Sequence, residues 1–221
     1  MSKASPPLSP ALAQLRVEYR QRSLSERDVD RDPIRQFVAW FEEARNVGAI
    51  EPNAMTLATC AADGAPSARI VLLKGVGAEG LTFFTNYDSS KGRQLDANPR
   101  AALVFWWAEL EREVRIEGDV SKTSAEESET YFNRRPPESR IGAAASPQSQ
   151  PIESREELEA AAAALRQRYP DGNVPRPANW GGYRVQPHCI EFWQGRPSRL
   201  HDRIEYRLQK DGSWTIRRLA P

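Results

Sequence analysis

Two cysteines, two histidines and two methionines are all that the 221 residues contain. Cys60 and Cys189 stand far apart and outside any C-x-x-C pair. That excludes a disulfide framework and a cysteine-based zinc site, and leaves them as small buried hydrophobes in a reducing compartment. With His188 and His201 as the only imidazoles, no metal-ligand cluster stands out, nor does a Ser-His-Asp order or a catalytic carboxylate pair. Charge of one sign is lacking too. Thirty-one Lys and Arg offset 30 Asp and Glu, so no global field draws the chain to nucleic acid or to an anionic membrane, and any anion must be held locally. No apolar run approaches the roughly 20 residues of a membrane span. The opening "MSKASPPLSPALAQLRVEYR" has no apolar signal core, so a soluble cytoplasmic protein is expected.

What is present is a chain long enough for a proper core. Residues 1–10 read as a mobile leader and 11–221 as a single domain. A short amphipathic helix is expected over 11–21, and a better-marked one follows Asp32 as N-cap, with Pro33 in the first turn and Gly48 as stop. From Ala54 the texture becomes strands separated by turn residues, with "AMTLATCA", "ARIVLLK", "LTFFTN", "AALVFWWA", "REVRIEGDVSK", "GYRVQPHCIEFWQ", "SRLHDRIEYRL" and "SWTIRRL" in order. No helix alternates regularly with them, which predicts an antiparallel sheet curling toward a barrel in an α+β fold. Helices are expected at Ser90–Ala97, from Ser124 to before Pro136, and from Ser154 to Pro170, the last two opened by Ser-x-x-Glu capping boxes. "IGAAASPQSQPIE" reads by composition as a flexible linker.

"GVGAEG" matches G-x-G-x-x-G, but a strand follows it where a dinucleotide site needs a helix, so the glycines read as a hairpin loop. Arg69 and Lys74 bracket "RIVLLK" on opposite faces, either reaching solvent or meeting different phosphates. Asn86, Asp88, Ser89, Ser90 and Lys91 sit at a strand-to-helix junction, either an ordinary capped helix or an anion site. Tyr131, Arg135 and Ser139 recur every four residues, a donor set suited to phosphate, although arginines also favour a helix end without any ligand. Trp106 and Trp107, adjacent on a strand, must point one in and one out. In "EFWQGRPSRLHDR" an extended chain would put Arg199, His201 and Arg203 on one face. Trp193 would join them if Gly195 and Pro197 caused no irregularity. His188 reads as structural. These clusters suit a binder of phosphorylated small molecules in which a cofactor supplies the chemistry.

Several stretches together resemble the pyridoxamine 5′-phosphate oxidase family: "RIVLLKG", "FFTNYDSSKGRQLDANPRAALVFWW", "LEREVRIEG", "YFNRRPPESRIGAAASPQSQ", "WGGYRVQPHCIEFWQGRPSRLHDRIEY" and the terminal "RLAP". The resemblance runs from about Leu15 to Pro221. It implies a split β-barrel homodimer with FMN at the subunit interface. It also implies oxidation of pyridoxine 5′-phosphate or pyridoxamine 5′-phosphate to pyridoxal 5′-phosphate, with O2 as acceptor and hydrogen peroxide as product. Carried over by position, the FMN residues would be Arg69, Ile70, Val71, Leu72, Leu73, Lys74, Phe84, Thr85, Lys91, Gln148, Ser149, Trp193 and Arg203. Lys74, Tyr131, Arg135 and Ser139 would take the substrate phosphate. Arg199 and His201 would lie against the pyridine ring and its reacting carbon, and Arg16 with Tyr19 would close over them. No metal is implied. On this resemblance "SPQSQ" is part of the site rather than a linker.

Three positions depart from the family's usual pattern. Ser90 precedes Lys91 where an arginine is usual, Glu113 stands where glutamine is usual, and Val17 replaces a commonly basic residue beside Arg16. Ser90 and Glu113 both fall on the cofactor set, and an ionised Glu113 can accept hydrogen bonds but not donate them, so weaker FMN retention is expected. Two other readings remain: a related split-barrel flavin oxidase acting on another aromatic substrate such as a phenazine precursor, and a flavin- or pyridoxal-phosphate-binding module without turnover.

Overall fold

The computed structural model describes Glu18, Tyr19 and residues 21–221. The leader, Arg16, Val17 and most of the 11–21 helix lie outside those residues. Glu18, Tyr19 and Gln21, at its end, are not helical. The first described helix, α1 (Pro33–Asn46), starts as expected: Asp32 accepts from the Ile34 N–H, Pro33 occupies the first turn, and Gly48 takes a φ of 76° just beyond the end. Its apolar face carries Phe37 and Trp40 into the core, where they meet Phe105, Trp107 and Phe192.

The strands are β1 (Ala54–Cys60), β2 (Pro66–Leu72), β3 (Gly75–Gly77), β4 (Gly80–Asn86), β5 (Arg100–Trp107), β6 (Arg112–Lys122), β7 (Trp180–Gln194), β8 (Asp202–Leu208) and β9 (Trp214–Leu219). Every pairing is antiparallel, in the order β2-β1-β5-β6-β7-β4-β3, with β8 and β9 added beyond β7. "GVGAEG" is the β3–β4 hairpin, as its following strand required. Trp107 is 2% exposed and Trp106 46%, the one-in, one-out alternation of a strand.

The long strand β7 makes the barrel split. Its first half, Trp180 to Val185, pairs with β4, and its second half, Cys189 to Gln194, pairs with β8 on that same edge. Between them lies Pro187, which has no N–H to offer a ladder. Opposite, the β6 register jumps between Glu117 and Gly118, so His188 has no partner there.

Five helices are present among the described residues: α1, α2 (Ser90–Ala97), α3 (Ala125–Arg134), α4 (Pro137–Ala145) and α5 (Arg155–Arg168). Ser89, Ser124 and Ser154 cap α2, α3 and α5. Only half of the predicted capping box operates at α3, because the Glu127 carboxylate turns away to Arg184. The linker expectation for "IGAAASPQSQPIE" is corrected: its first five residues complete α4, a helix that starts at Pro137. Pro136-Pro137 masked that start from a composition reading, although a proline in the first turn favours a helix.

Candidate active site

Residues of α2, α3 and α4, with others from β2, β4 and β7, line an open cavity of about 570 Å³. Lys74, Lys91 and Arg135 line it, along with Thr85, Tyr131, Ser139, Ser146 and Gln148, and no carboxylate does. Three cations with no acid among the lining residues are an unbalanced arrangement. The Lys91 ammonium is pushed down to about 8, by burial first and then by the nearby charge of Arg69, which stands outside the lining. Lys91 donates to Gln148 Oε1 at 2.9 Å and to Thr85 Oγ1 at 3.2 Å. Arg69, on the other face of β2, is tied to Thr59, Ser67 and Gln94 on the α2 side. The two cations that bracket "RIVLLK" therefore serve different ends of the region.

Arg135 closes the opposite side. Its guanidinium lies 4.8 Å from the Trp180 ring, burial lowers its pKa, and its Nη1 is buried without a hydrogen-bond partner. Buried donors are seldom left unmade. Arg135 itself lines the acid-free cavity beside Tyr131 and Ser139. Phe84, Tyr131 and Trp180 form a stack, with Phe84 and Tyr131 centroids 4.0 Å apart. The "WGG" start of β7 permits it: a Cβ on Gly182 would fall 2.8 Å from Phe84 Cε1 and 2.5 Å from Thr123 Oγ1. Trp180 was not singled out from the sequence, and the two glycines after it were the signal available.

A second cluster forms at the far end of β7. Trp193 and His201 have ring centroids 4.6 Å apart, and Tyr19 stands edge-on to both at 5.7 and 5.8 Å. The single cationic face expected of Arg199, His201 and Arg203 is corrected. Strand β8 begins only at Asp202, and Ser198 and Arg199 take φ of 55° and 62° in a short 3₁₀ turn. Consecutive non-glycine residues in the left-handed region mark strain held by the surroundings, and such strain gathers at functional sites. The turn brings His201 back over Trp193, which parity alone would not do. His201 Nδ1 accepts the Arg196 N–H at 3.1 Å, and burial, then Arg199, lower its pKa. The ring is therefore neutral near pH 7, with its proton on Nε2. Arg203 is held by Glu191 at 2.7 Å and donates to the Ala220 carbonyl at 2.8 Å, so "RLAP" anchors this wall.

Of the residues carried over by position, Ile70, Val71, Leu72, Lys74, Phe84, Thr85, Lys91, Tyr131, Arg135, Ser139 and Gln148 line the cavity. Arg69 does not, and acts on it through its charge. Ser90, exposed, and Ser149, at a φ of 70°, lie near it in the chain but do not line it. Leu73 does not line it either: its side chain is in the hydrophobic core, its N–H donates to the Asn53 carbonyl, and its own carbonyl accepts from Asn53. Glu113, Trp193, Arg199, His201 and Arg203 belong to the second cluster. Trp180 and Trp193 are thirteen residues apart on β7, about 40 Å of extended strand. One chain does not bring the two clusters together.

An antiparallel split barrel with an acid-free cationic cavity is the architecture of a protein that binds phosphorylated, ring-bearing ligands. Comparison with known proteins narrows that class. Residues 38–169 match the "Pyridoxamine 5'-phosphate oxidase" family model, and 180–221 match its "Pyridoxine 5'-phosphate oxidase C-terminal dimerisation region". The chain belongs to the pyridoxamine 5′-phosphate oxidase family, an oxidoreductase family. Pyridoxine/pyridoxamine 5′-phosphate oxidases of a Cyanothece species and of Burkholderia lata are 59% and 60% identical over 96% and 95% of this chain and 99% of theirs. PhzG from Burkholderia lata 383, in complex with tetrahydrophenazine-1-carboxylic acid, superposes with a TM-score of 0.84 at 31% identity, covering 88% of this chain and 95% of that one. A pyridoxamine 5′-phosphate oxidase-related, FMN-binding protein from Nostoc punctiforme shares the fold, with a TM-score of 0.68 at 16% identity over 87% of this chain and 100% of that one. No described helix is long and apolar enough to cross a membrane.

Proposed function

We propose that the chain is an FMN-dependent oxidase that converts pyridoxine 5′-phosphate or pyridoxamine 5′-phosphate to pyridoxal 5′-phosphate. The observation that carries this is the cavity itself: three cations, no acid, and an unpartnered buried Arg135 nitrogen. That is more positive charge than one phosphate requires, and it divides into two groups. Lys91 with Gln148 and Thr85, backed by Arg69, holds the FMN phosphate. Lys74, Tyr131, Arg135 and Ser139 hold the substrate phosphate. FMN supplies the two-electron chemistry when bound. A second copy, docked through the 180–221 region, brings Trp193, Arg203, Arg199 and His201 to the ring end of the cavity, which accounts for their distance from it within one chain. Neutral His201 offers Nε2–H, and Arg199, turned out by the left-handed turn, faces the pyridine ring.

The balance is simple. Oxidising CH2OH to CHO releases two electrons and two protons, which O2 takes up as H2O2; the amine additionally consumes water and releases ammonia. Purified protein given FMN and pyridoxine 5′-phosphate should yield aldehyde and peroxide in equal amounts, and absence of both would exclude this reading. Arg199→Ala and His201→Ala should each lower kcat/KM by roughly 100-fold while FMN stays bound. Loss of flavin from both would move them to the cofactor site instead.

The likeness to PhzG favours one second reading, a flavin oxidase of a phosphate-free aromatic substrate. Such a substrate leaves Arg135, Tyr131 and Ser139 without a role. Comparing turnover of pyridoxine 5′-phosphate with that of unphosphorylated ring substrates separates the two.

A further inference from the structure

One exposed aromatic is left unexplained by the sites above. Trp106 on β5 is 46% exposed, and its ring centroid lies 6.0 Å from that of Trp193, two strands away. The register explains how. Trp106 faces Glu113, Glu113 faces Trp193, and Trp193 faces Arg203, so four side chains run in one row across β5, β6, β7 and β8 on the same face. The two indoles lean toward each other over Glu113, which is half-buried between them, with Arg115 at 3.9 Å. An indole roofing a carboxyl excludes water from it, and burial raises the Glu113 pKa, with Arg115 opposing. The row is continuous with the dimerisation region, which contains Trp193 and Arg203 but ends short of Trp106 in the chain.

Resting on the reading above, in which Trp193 and Arg203 meet the flavin held by the second copy, we propose that Trp106 is a further flavin-positioning residue. Trp106 and Trp193 form a two-indole shelf for the isoalloxazine ring. An exposed, rigid aromatic beside a ring-binding indole offers stacking area at little entropic cost. The shelf also bears on Glu113. Where Ser90 and Glu113 together lead to weaker FMN retention, Trp106 supplies contact area on the Glu113 row that offsets the donor lost there.

The test is FMN titration of the dimeric apoprotein, followed by quenching of flavin fluorescence, with sedimentation of each variant in parallel. Trp106→Ala should raise the FMN dissociation constant roughly tenfold, and Trp106→Phe less than threefold, both with the dimer intact. An FMN affinity unchanged in Trp106→Ala overturns the assignment. So does dissociation of the Trp106→Ala dimer at micromolar concentration, which would make Trp106 an interface residue only. If the unsubstituted apoprotein takes up no FMN at all, the underlying cofactor reading fails as well, and the two failures are thereby distinguished. The affinity change in Trp106→Ala,Glu113→Gln should differ from the sum of the two single changes by more than about threefold if the shelf and the carboxyl act on one ring; strict additivity would count against it.

Discussion

Arg135→Ala is expected to lower kcat/KM for pyridoxine 5′-phosphate by roughly 100-fold, mostly through KM, and to leave turnover of unphosphorylated pyridoxine unchanged. Arg135 is half-buried against Trp180 and Phe132, yet Nη1 has no partner. No protein group offsets the desolvation of that nitrogen, and a phosphate dianion would offset it with short charge-assisted bonds. Removing the side chain removes both the cost and the bond. Stability of the ligand-free variant should therefore stay within about 1 kcal/mol of the parent, because an unsatisfied donor is lost along with the ring contacts. Arg135→Lys should recover only part of the affinity, since a point charge cannot reproduce a planar fork. Equal losses on phosphorylated and unphosphorylated substrates would make Arg135 a structural residue and sink the assignment.

The grouping of Tyr131, Arg135 and Ser139 at one cavity was legible because it is local. Tyr131, Arg135 and Ser139 span the end of α3 and the first turn of α4, and four-residue spacing across a helix end survives the proline break between them. The antiparallel sheet was legible for a similar reason, since hairpin-length loops force neighbouring strands to pair. The second cluster was legible in its members, Trp193, Arg199, His201 and Arg203, but not in its geometry. Its placement depends on Ser198 and Arg199 in the left-handed region, which no residue type announces, and on β7 exchanging β4 for β8 along one edge. Strand parity therefore grouped Arg199 with His201 and Arg203, when the chain actually turns before His201. The "SPQSQ" segment failed differently. Composition sees small polar residues, whereas Gln148 is held by Lys91 and Thr85 through contacts 57 and 63 residues distant. Such long-range pairing leaves no trace in a window of sequence.

The affinity of the apoprotein for FMN should fall as pH rises above about 8, by roughly tenfold per pH unit toward pH 9.5. The cause is Lys91, held down to about 8 in the free protein by burial and then by Arg69. A phosphate bound beside it favours the ammonium, so the Lys91 pKa is higher in the complex than in the free protein. A group whose pKa is raised on binding contributes its full share below the free pKa. It loses that share as pH climbs through the interval between the two values. The phosphate's own second ionisation, near pH 6, lies below this window and does not confuse it. Proton uptake follows the same sign: close to none accompanies FMN binding at pH 7, and close to one proton per flavin at pH 9. Calorimetry in buffers of different ionisation enthalpy measures that number directly. Lys91→Arg keeps the charge but abolishes the titration, so its affinity should be flat from pH 7 to 9.5. A flat profile in the unsubstituted protein over the same range would show that Lys91 does not meet the phosphate. The anion would then have to be held by Arg69 or Lys74 alone.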